Sequence, residues 1–343
     1  MVLERCLISD PNTCPDNGGD PLVAAAKEGN AGEVQRLMKC PEIDVNHADR
    51  SRMDTPGVLA DHTPLYLASQ SGHAEVVNIL LQHPKVDVNY RDFYNRTALW
   101  WASVMGHLEI VKLLVNDSRT DVNLRGLHFN NNPAFGEGPP LMIASRLGLV
   151  EVVEELILHP QIDVNKPNTV GSETSLFLAS LHGRADVVKV LLTDQRVNVN
   201  QAGKKGDTRT PLIAASFRPS IFPRYDQRLE VIKLLLADPR VDLTARMFEP
   251  MWRSSFGLTN PDASSVTALM GNLEIVKLFL RCPNASLPIT TTSTGPYQVP
   301  LELKTQIDEA IESRQTLLEQ GHTCGANYNG WTFYHDWELP TSS

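Results

Sequence analysis

One short string recurs along the chain and limits its fold more than any other feature. Ile43-Asp44-Val45-Asn46, Val86-Asp87-Val88-Asn89, Thr120-Asp121-Val122-Asn123, Ile162-Asp163-Val164-Asn165 and Val197-Asn198-Val199-Asn200 are variants of one pattern, and Val241-Asp242-Leu243-Thr244 is a worn sixth copy. Each Asn stands 26 residues after a helix-start signal: Asp20-Pro21-Leu22, Thr63-Pro64-Leu65, Thr97-Ala98-Leu99, Pro139-Pro140-Leu141 and Thr174-Ser175-Leu176. The gap from each Asn to the next start is instead 17, 8, 16, 9 and 10 residues. A unit of fixed length joined by a connection of free length marks a stack of modules, in which each module buries its apolar face against its neighbours.

Within the unit the pattern predicts two short antiparallel helices. A Thr or Asp side-chain oxygen caps the first helix, Pro follows where a missing N–H costs nothing, and Leu begins the buried face. Ala25, Ala68, Ala102, Ala144, Ala179 and Ala215 share one small position that allows close helix approach. Gly29, Gly72, Gly106, Gly148 and Gly183 end that helix in a left-handed conformation that costs glycine little. The second helix, as in Glu75-Val76-Val77-Asn78-Ile79-Leu80-Leu81, places apolar residues at helical spacing, and Pro41, Pro84, Pro160, Pro239 or Pro283 follows it.

The sequence Thr-Pro-Leu, Ala, Gly-His, Glu-Val-Val, Leu-Leu, Asp-Val-Asn resembles the ankyrin repeat. The likeness implies an all-α ankyrin-repeat solenoid of about seven helix-pair repeats over residues 19–288, near 19–46, 47–89, 90–123, 124–165, 166–200, 201–243 and 244–288, with hairpin loops between them. An extension, 1–18, precedes the stack. The family's His after Thr-Pro-Leu is replaced by Val23, Tyr66, Trp100, Met142, Phe177 and Ile213. This is expected to remove a hydrogen bond and add bulk between repeats. In animal members an Asn in this place is a hydroxylation target with a Leu eight residues earlier, a spacing that Asn89 with Leu81 and Asn200 with Leu192 match; an Asn bonded to hairpin backbone is the competing reading.

Repeat six is eight residues longer between Thr210 and Thr244, an excess that fits FRPSIFPRYD between its two helices. Three connections are long, at residues 50–61, 126–138 and 245–261. The seventh copy keeps Gly271–Leu278 but has a weak first helix at 262–270, as a terminal cap would. Residues 289–343 read as a linker, a capping helix over 301–320 and a tail holding Tyr328, Trp331, Phe333, Tyr334 and Trp337.

Composition narrows the function. A formal charge of −9 argues against a nucleic-acid binder, which needs clustered Lys and Arg to displace counterions. No apolar run reaches the length of a signal peptide or a membrane span. Five scattered cysteines, Cys6, Cys14, Cys40, Cys282 and Cys324, fit a reducing compartment, the cytoplasm or nucleus. No phosphate loop, metal-ligand spacing or nucleophile elbow occurs, and His322 with Cys324 is an isolated pair. The expectation is a monomeric, non-catalytic scaffold or adaptor for another protein, with no cofactor. The other reading is a substrate-recognition subunit of a larger assembly, such as a ubiquitin ligase, docking through the tail.

In the family, partners meet hairpin tips and the outward face of the first helices. Counting from the capping residue, the fifth, eighth and ninth positions form that face. They are Trp101, Val104 and Met105 in repeat three, Ile143, Arg146 and Leu147 in repeat four, Leu178, Leu181 and His182 in repeat five, and Ala214, Phe217 and Arg218 in repeat six. The resemblance therefore implies an apolar groove over repeats three to six, flanked by Arg146 and Arg218, that receives a hydrophobic segment of a partner; the competing reading is that the inserted loops fold over it and bury it. Replacing Trp101 and Phe217 by Ala is expected to abolish binding while leaving the fold intact.

Overall fold

The computed structural model describes residues 20–48, 62–127, 137–168, 173–202, 209–216, 225–245, 273–280 and 301–319. Fourteen helices lie among them: α1 Pro21–Glu28, α2 Ala31–Leu37, α3 Pro64–Ser71, α4 Ala74–Leu81, α5 Ala98–Met105, α6 Leu108–Asn116, α7 Pro140–Leu147, α8 Val150–Ile157, α9 Ser175–Leu181, α10 Ala185–Thr193, α11 Pro211–Ser216, α12 Tyr225–Ala237, α13 Leu273–Leu280 and α14 Leu301–Glu319. Gly126 and Gly138 form an isolated antiparallel β bridge. The chain divides into two compact units, Met1–Thr169 and Val170–Ser343.

The helix ends form as the sequence pattern requires. Asp20 accepts the N–H groups of Leu22 and Val23. Thr63, Thr97, Thr174 and Thr210 each accept the N–H three residues on. Gly29, Gly72, Gly106 and Gly148 close their helices at φ between +73° and +86°. Repeat five differs by one residue: α9 ends at His182 in an ordinary conformation, and Gly183 turns left-handed after it.

In the first unit each first helix packs on the next, α1 on α3, α3 on α5 and α5 on α7, while α2, α4, α6 and α8 pack in series behind them. In the second unit α9 packs on α11 and α10 on α12. Further along, α12 meets α13, and α14 lies against α13 with Ile307 and Ala310 buried beside a helix that buries Val276, Phe279 and Leu280. The insertion in repeat six is two residues shorter than the sequence suggests, because Tyr225 and Asp226 already belong to α12.

The recurring string is a turn with three jobs. Its second residue receives the N–H two residues later, in Asp44–Asn46, Asp87–Asn89, Asp121–Asn123, Asp163–Asn165, Asn198–Asn200 and Asp242–Thr244. Its third residue, Val45, Val88, Val122, Val164, Val199 or Leu243, is buried. Its Asn reaches the next repeat: Asn89 donates to the Arg119 carbonyl at 2.7 Å and accepts from Asp121 N–H at 2.8 Å. Asn46, Asn123 and Asn200 bridge likewise to Lys85 and Asp87, Gln161 and Asp163, and Arg240 and Asp242. At the sixth copy Thr244 turns its hydroxyl back onto Asp242 at 2.7 Å.

An Asp-X-Arg element beside this turn adds a second tie. Arg119 pairs with Asp117 at 2.6 Å and donates to the carbonyls of Leu81 and His83 at 2.8 and 3.2 Å, satisfying the open end of α4 in the preceding repeat. Arg240 does the same from Asp238 toward Leu192 and Asp194. Hydrogen bonds from Arg119 hold the Asp117 carboxyl below the usual carboxylate range, outweighing burial. For Asp238 burial is the largest single influence and pushes upward, but the side-chain and backbone bonds from Arg240 together win. A carboxyl depressed in the folded state contributes stability above its unfolded pKa of about 3.9 and loses it as pH falls through the folded value. Arg119→Ala should therefore lower stability at neutral pH and flatten the loss as pH falls below about 4. Equal acid slopes for variant and parent in urea unfolding would contradict this.

Thr120 is the odd member of its series. It occupies the buried position held elsewhere by Ile43, Val86, Ile162, Val197 and Val241, and its hydroxyl has no hydrogen-bond partner. Thr120→Val keeps the shape and removes an unsatisfied group, so it should raise unfolding stability by about 1 kcal/mol. An unchanged or lower urea midpoint would show that the hydroxyl is satisfied in solution.

Candidate functional site

The side chain three residues after each cap sets the spacing between first helices. Val23, Tyr66, Trp100, Met142, Phe177 and Ile213 are all buried to within 3% of complete. The added bulk follows the sequence expectation, but the polar link is not lost. Tyr66 donates to the Asp92 carboxylate at 2.8 Å, and Trp100 donates through Nε1 to the Gly138 carbonyl at 3.1 Å. Two large aromatics thus do with their own polar atoms what the family's His does.

Trp100 also fixes the neck of the long loop that opens repeat four. Gly126 and Gly138 exchange both backbone hydrogen bonds at 3.1 Å. A Cβ on Gly126 would come within 2.8 Å of the Trp100 ring, so the ring lies directly on that backbone. Only glycine permits so close an approach.

Between repeats two and three lies a buried charged cluster that the sequence analysis does not single out. Arg96 is 1% exposed and paired through its Nη2 and Nε with Asp92. Its guanidinium lies 4.8 Å from the Tyr94 ring centre and 4.9 Å from that of Trp101, a cation–π sandwich. Trp101 Nε1 donates to the Tyr66 hydroxyl, and His62 stacks on Tyr66 at 4.6 Å. Burial, and then the Asp92 charge, push the Tyr66 hydroxyl far above the ordinary tyrosine range, so it remains a donor. The available signal was Asp92-Phe93-Tyr94-Asn95-Arg96, two opposite charges around two aromatics in a connection too short to keep both charges in water.

The candidate groove residues separate into three groups. Trp101, Val104 and Ile143 are buried in one apolar cluster with Val23, Tyr66, Leu67 and Trp100, and Leu147 packs half-buried against it. Leu178, in the second unit, is also buried. Met105 is 48% exposed, while Arg146, Leu181 and His182 are intermediate. Phe217 and Arg218 lie outside the described residues. The fifth position of repeats two to six (Leu67, Trp101, Ile143, Leu178 and Ala214) therefore lies inside the packing rather than on an open face, whereas Ala24 in repeat one is exposed. This corrects the expectation that Trp101 is expendable for folding.

Leu158 is 77% exposed at the end of α8. Among the described residues no group of three or more His, Cys, Asp or Glu is placed to hold a metal ion, and no helix is long and apolar enough to cross a membrane.

Helix pairs stacked in series within each unit and tied by turn-to-turn asparagines define a repeat protein. The family model described as ankyrin repeats (3 copies) matches residues 2–92, 22–126 and 137–247, and the chain belongs to the ankyrin repeat family. Ankyrin repeats generally mediate protein–protein interaction and are typically non-catalytic modules. No curated protein matches the chain.

Trp101→Ala removes a buried ring, its hydrogen bond and one face of the Arg96 sandwich. It should cost about 3–5 kcal/mol of stability, measured by thermal or urea unfolding. A loss below about 1 kcal/mol would mean that the ring is peripheral to the packing.

Proposed function

We propose that the protein is a non-catalytic scaffold or adaptor that holds a protein partner on the first-helix face of its repeats. The observation that carries this reading is in α5. Seven of its eight residues, Ala98 to Val104, are buried, and the eighth, Met105, is 48% exposed one turn beyond Trp101. Met105 is therefore an adaptable apolar side chain on a helix held rigid by everything beneath it, and such residues are enriched at protein interfaces. Half-buried Leu147 stands at the same register position in the next repeat. Arg146 adds a cation of the type favoured at binding hot spots.

The partner is a protein because the family's repeats serve that purpose and because a charge of −9 disfavours nucleic acid. The scaffold works as a monomer in the cytoplasm or nucleus, which the few and scattered cysteines support. The aromatic tail invoked by the assembly-docking reading lies outside the described residues.

The test is affinity capture of partners with the intact chain beside a Met105→Asp variant. Met105 is exposed, so the variant should unfold within about 1 kcal/mol of the parent yet lose at least one captured protein. A partner set identical for both chains would remove the first-helix face as the binding surface.

A further inference from the structure

The turn that opens repeat three is built to hold an exposed aromatic ring still. Phe93 and Tyr94 are the central residues of a β-turn closed by Asn95 N–H donating to the Asp92 carbonyl at 2.9 Å. The Asp92 carboxylate accepts the N–H groups of Tyr94 at 2.9 Å and Arg96 at 2.8 Å, and Asn95 takes a left-handed φ of +58°. Tyr94 is pinned from beneath by Arg96, and its carbonyl accepts Leu127 N–H from repeat four at 2.8 Å. On this base Phe93 is 70% exposed and Leu127 38% exposed. With its backbone already ordered, an apolar anchor loses little conformational entropy on binding.

Charge identifies the occupant. Arg91 and Arg125 each stand two residues before the exposed apolar residue of their loop. Arg36, Arg96, Arg119, Arg196 and Arg240 are each paired with a carboxylate. Among the described residues Arg91 and Arg125 have no ion pair or hydrogen bond, and Arg125 Nε is buried without an acceptor. Uncompensated guanidinium groups beside an exposed aromatic, in a chain of net charge −9, are complementary to carboxylates next to apolar side chains.

We propose that the turn Asp92–Asn95 and the adjoining Leu127 are a docking point for an acidic, apolar peptide segment of the partner protein, with its apolar side chains on Phe93 and Leu127 and its carboxylates at Arg91 and Arg125. The proposal rests on the reading of this chain as a protein-binding scaffold, and it names a surface separate from Met105.

A phage-displayed library of random 16-residue peptides, selected on the full chain, tests it. The enriched peptides should combine Asp or Glu with Leu, Phe or Trp. They should bind Phe93→Ala at least tenfold more weakly, and Arg91→Glu, Arg125→Glu more weakly still as salt is lowered. All the substituted groups are on the surface or unpaired, so matched unfolding midpoints will show that the variants fold. Enrichment of basic or uncharged peptides, failure to enrich any peptide, or undiminished binding to Phe93→Ala would each overturn the proposal. Peptides lost on Met105→Asp but kept by Phe93→Ala would overturn it while leaving the scaffold reading in place. Binding lost on neither variant would count against both.

Discussion

A pair of eight-residue helices cannot enclose a core of its own, so each repeat depends on the side chain that its first helix pushes toward the next. Val23, Tyr66, Trp100, Met142, Phe177 and Ile213 fill that place. Their sizes differ widely, and the rest of the packing adjusts to them. Where the residue is largest, at Trp100, a neighbouring loop gives way by using Gly126 against the ring. Where it is Tyr66, a buried arginine and aspartate gather around its hydroxyl. The stack is thus held by apolar volume first, with polar contacts arranged so that no large ring leaves its donor unmet.

Polar ties then set register. The side chains of Asn46, Asn89, Asn123 and Asn200 each make one bond out and one bond back to the same stretch of the next repeat, so the amide fits only when the two turns are correctly aligned. The arginine of the Asp-X-Arg element supplies donors to carbonyls that the end of a helix leaves open. Both devices act between neighbours, which is why connections of very different length are accommodated without change to the repeat itself. Thr244, which bonds back to its own turn, ends the asparagine series before α13, and beyond it α14 lies against α13 and buries Ile307 and Ala310.

Rigidity is what this architecture offers to a partner. The first-helix face exposes little apolar surface, because close stacking takes Trp101, Val104 and Ile143 into the interior and leaves Met105 outside. The hairpin turn of repeat three, by contrast, holds Phe93 outward on a turn fixed by three hydrogen bonds and a cation–π contact. Both surfaces are ordered before any partner arrives, which lowers the entropy lost on association.

The repeat, its helix starts, its caps and its buried periodic positions were legible in the sequence, because each depends on local chemistry within a window of some thirty residues: a Thr hydroxyl capping the first helix, a glycine turning left-handed after it, apolar residues recurring at helical spacing. The role of Asn89 as a bridge was legible only in part, since its partners at Arg119 and Asp121 belong to the next copy. The exposure of the candidate binding face was the least legible. Register placed Trp101 and Met105 on one side of α5, but whether such a side chain meets solvent or a neighbour depends on the distance between stacked helices, and that distance is set by side chains from other repeats. The same holds for Arg96, whose charge is tolerated in the interior only because Asp92, Tyr94 and Trp101 converge on it from a turn and a helix that the tertiary structure brings together.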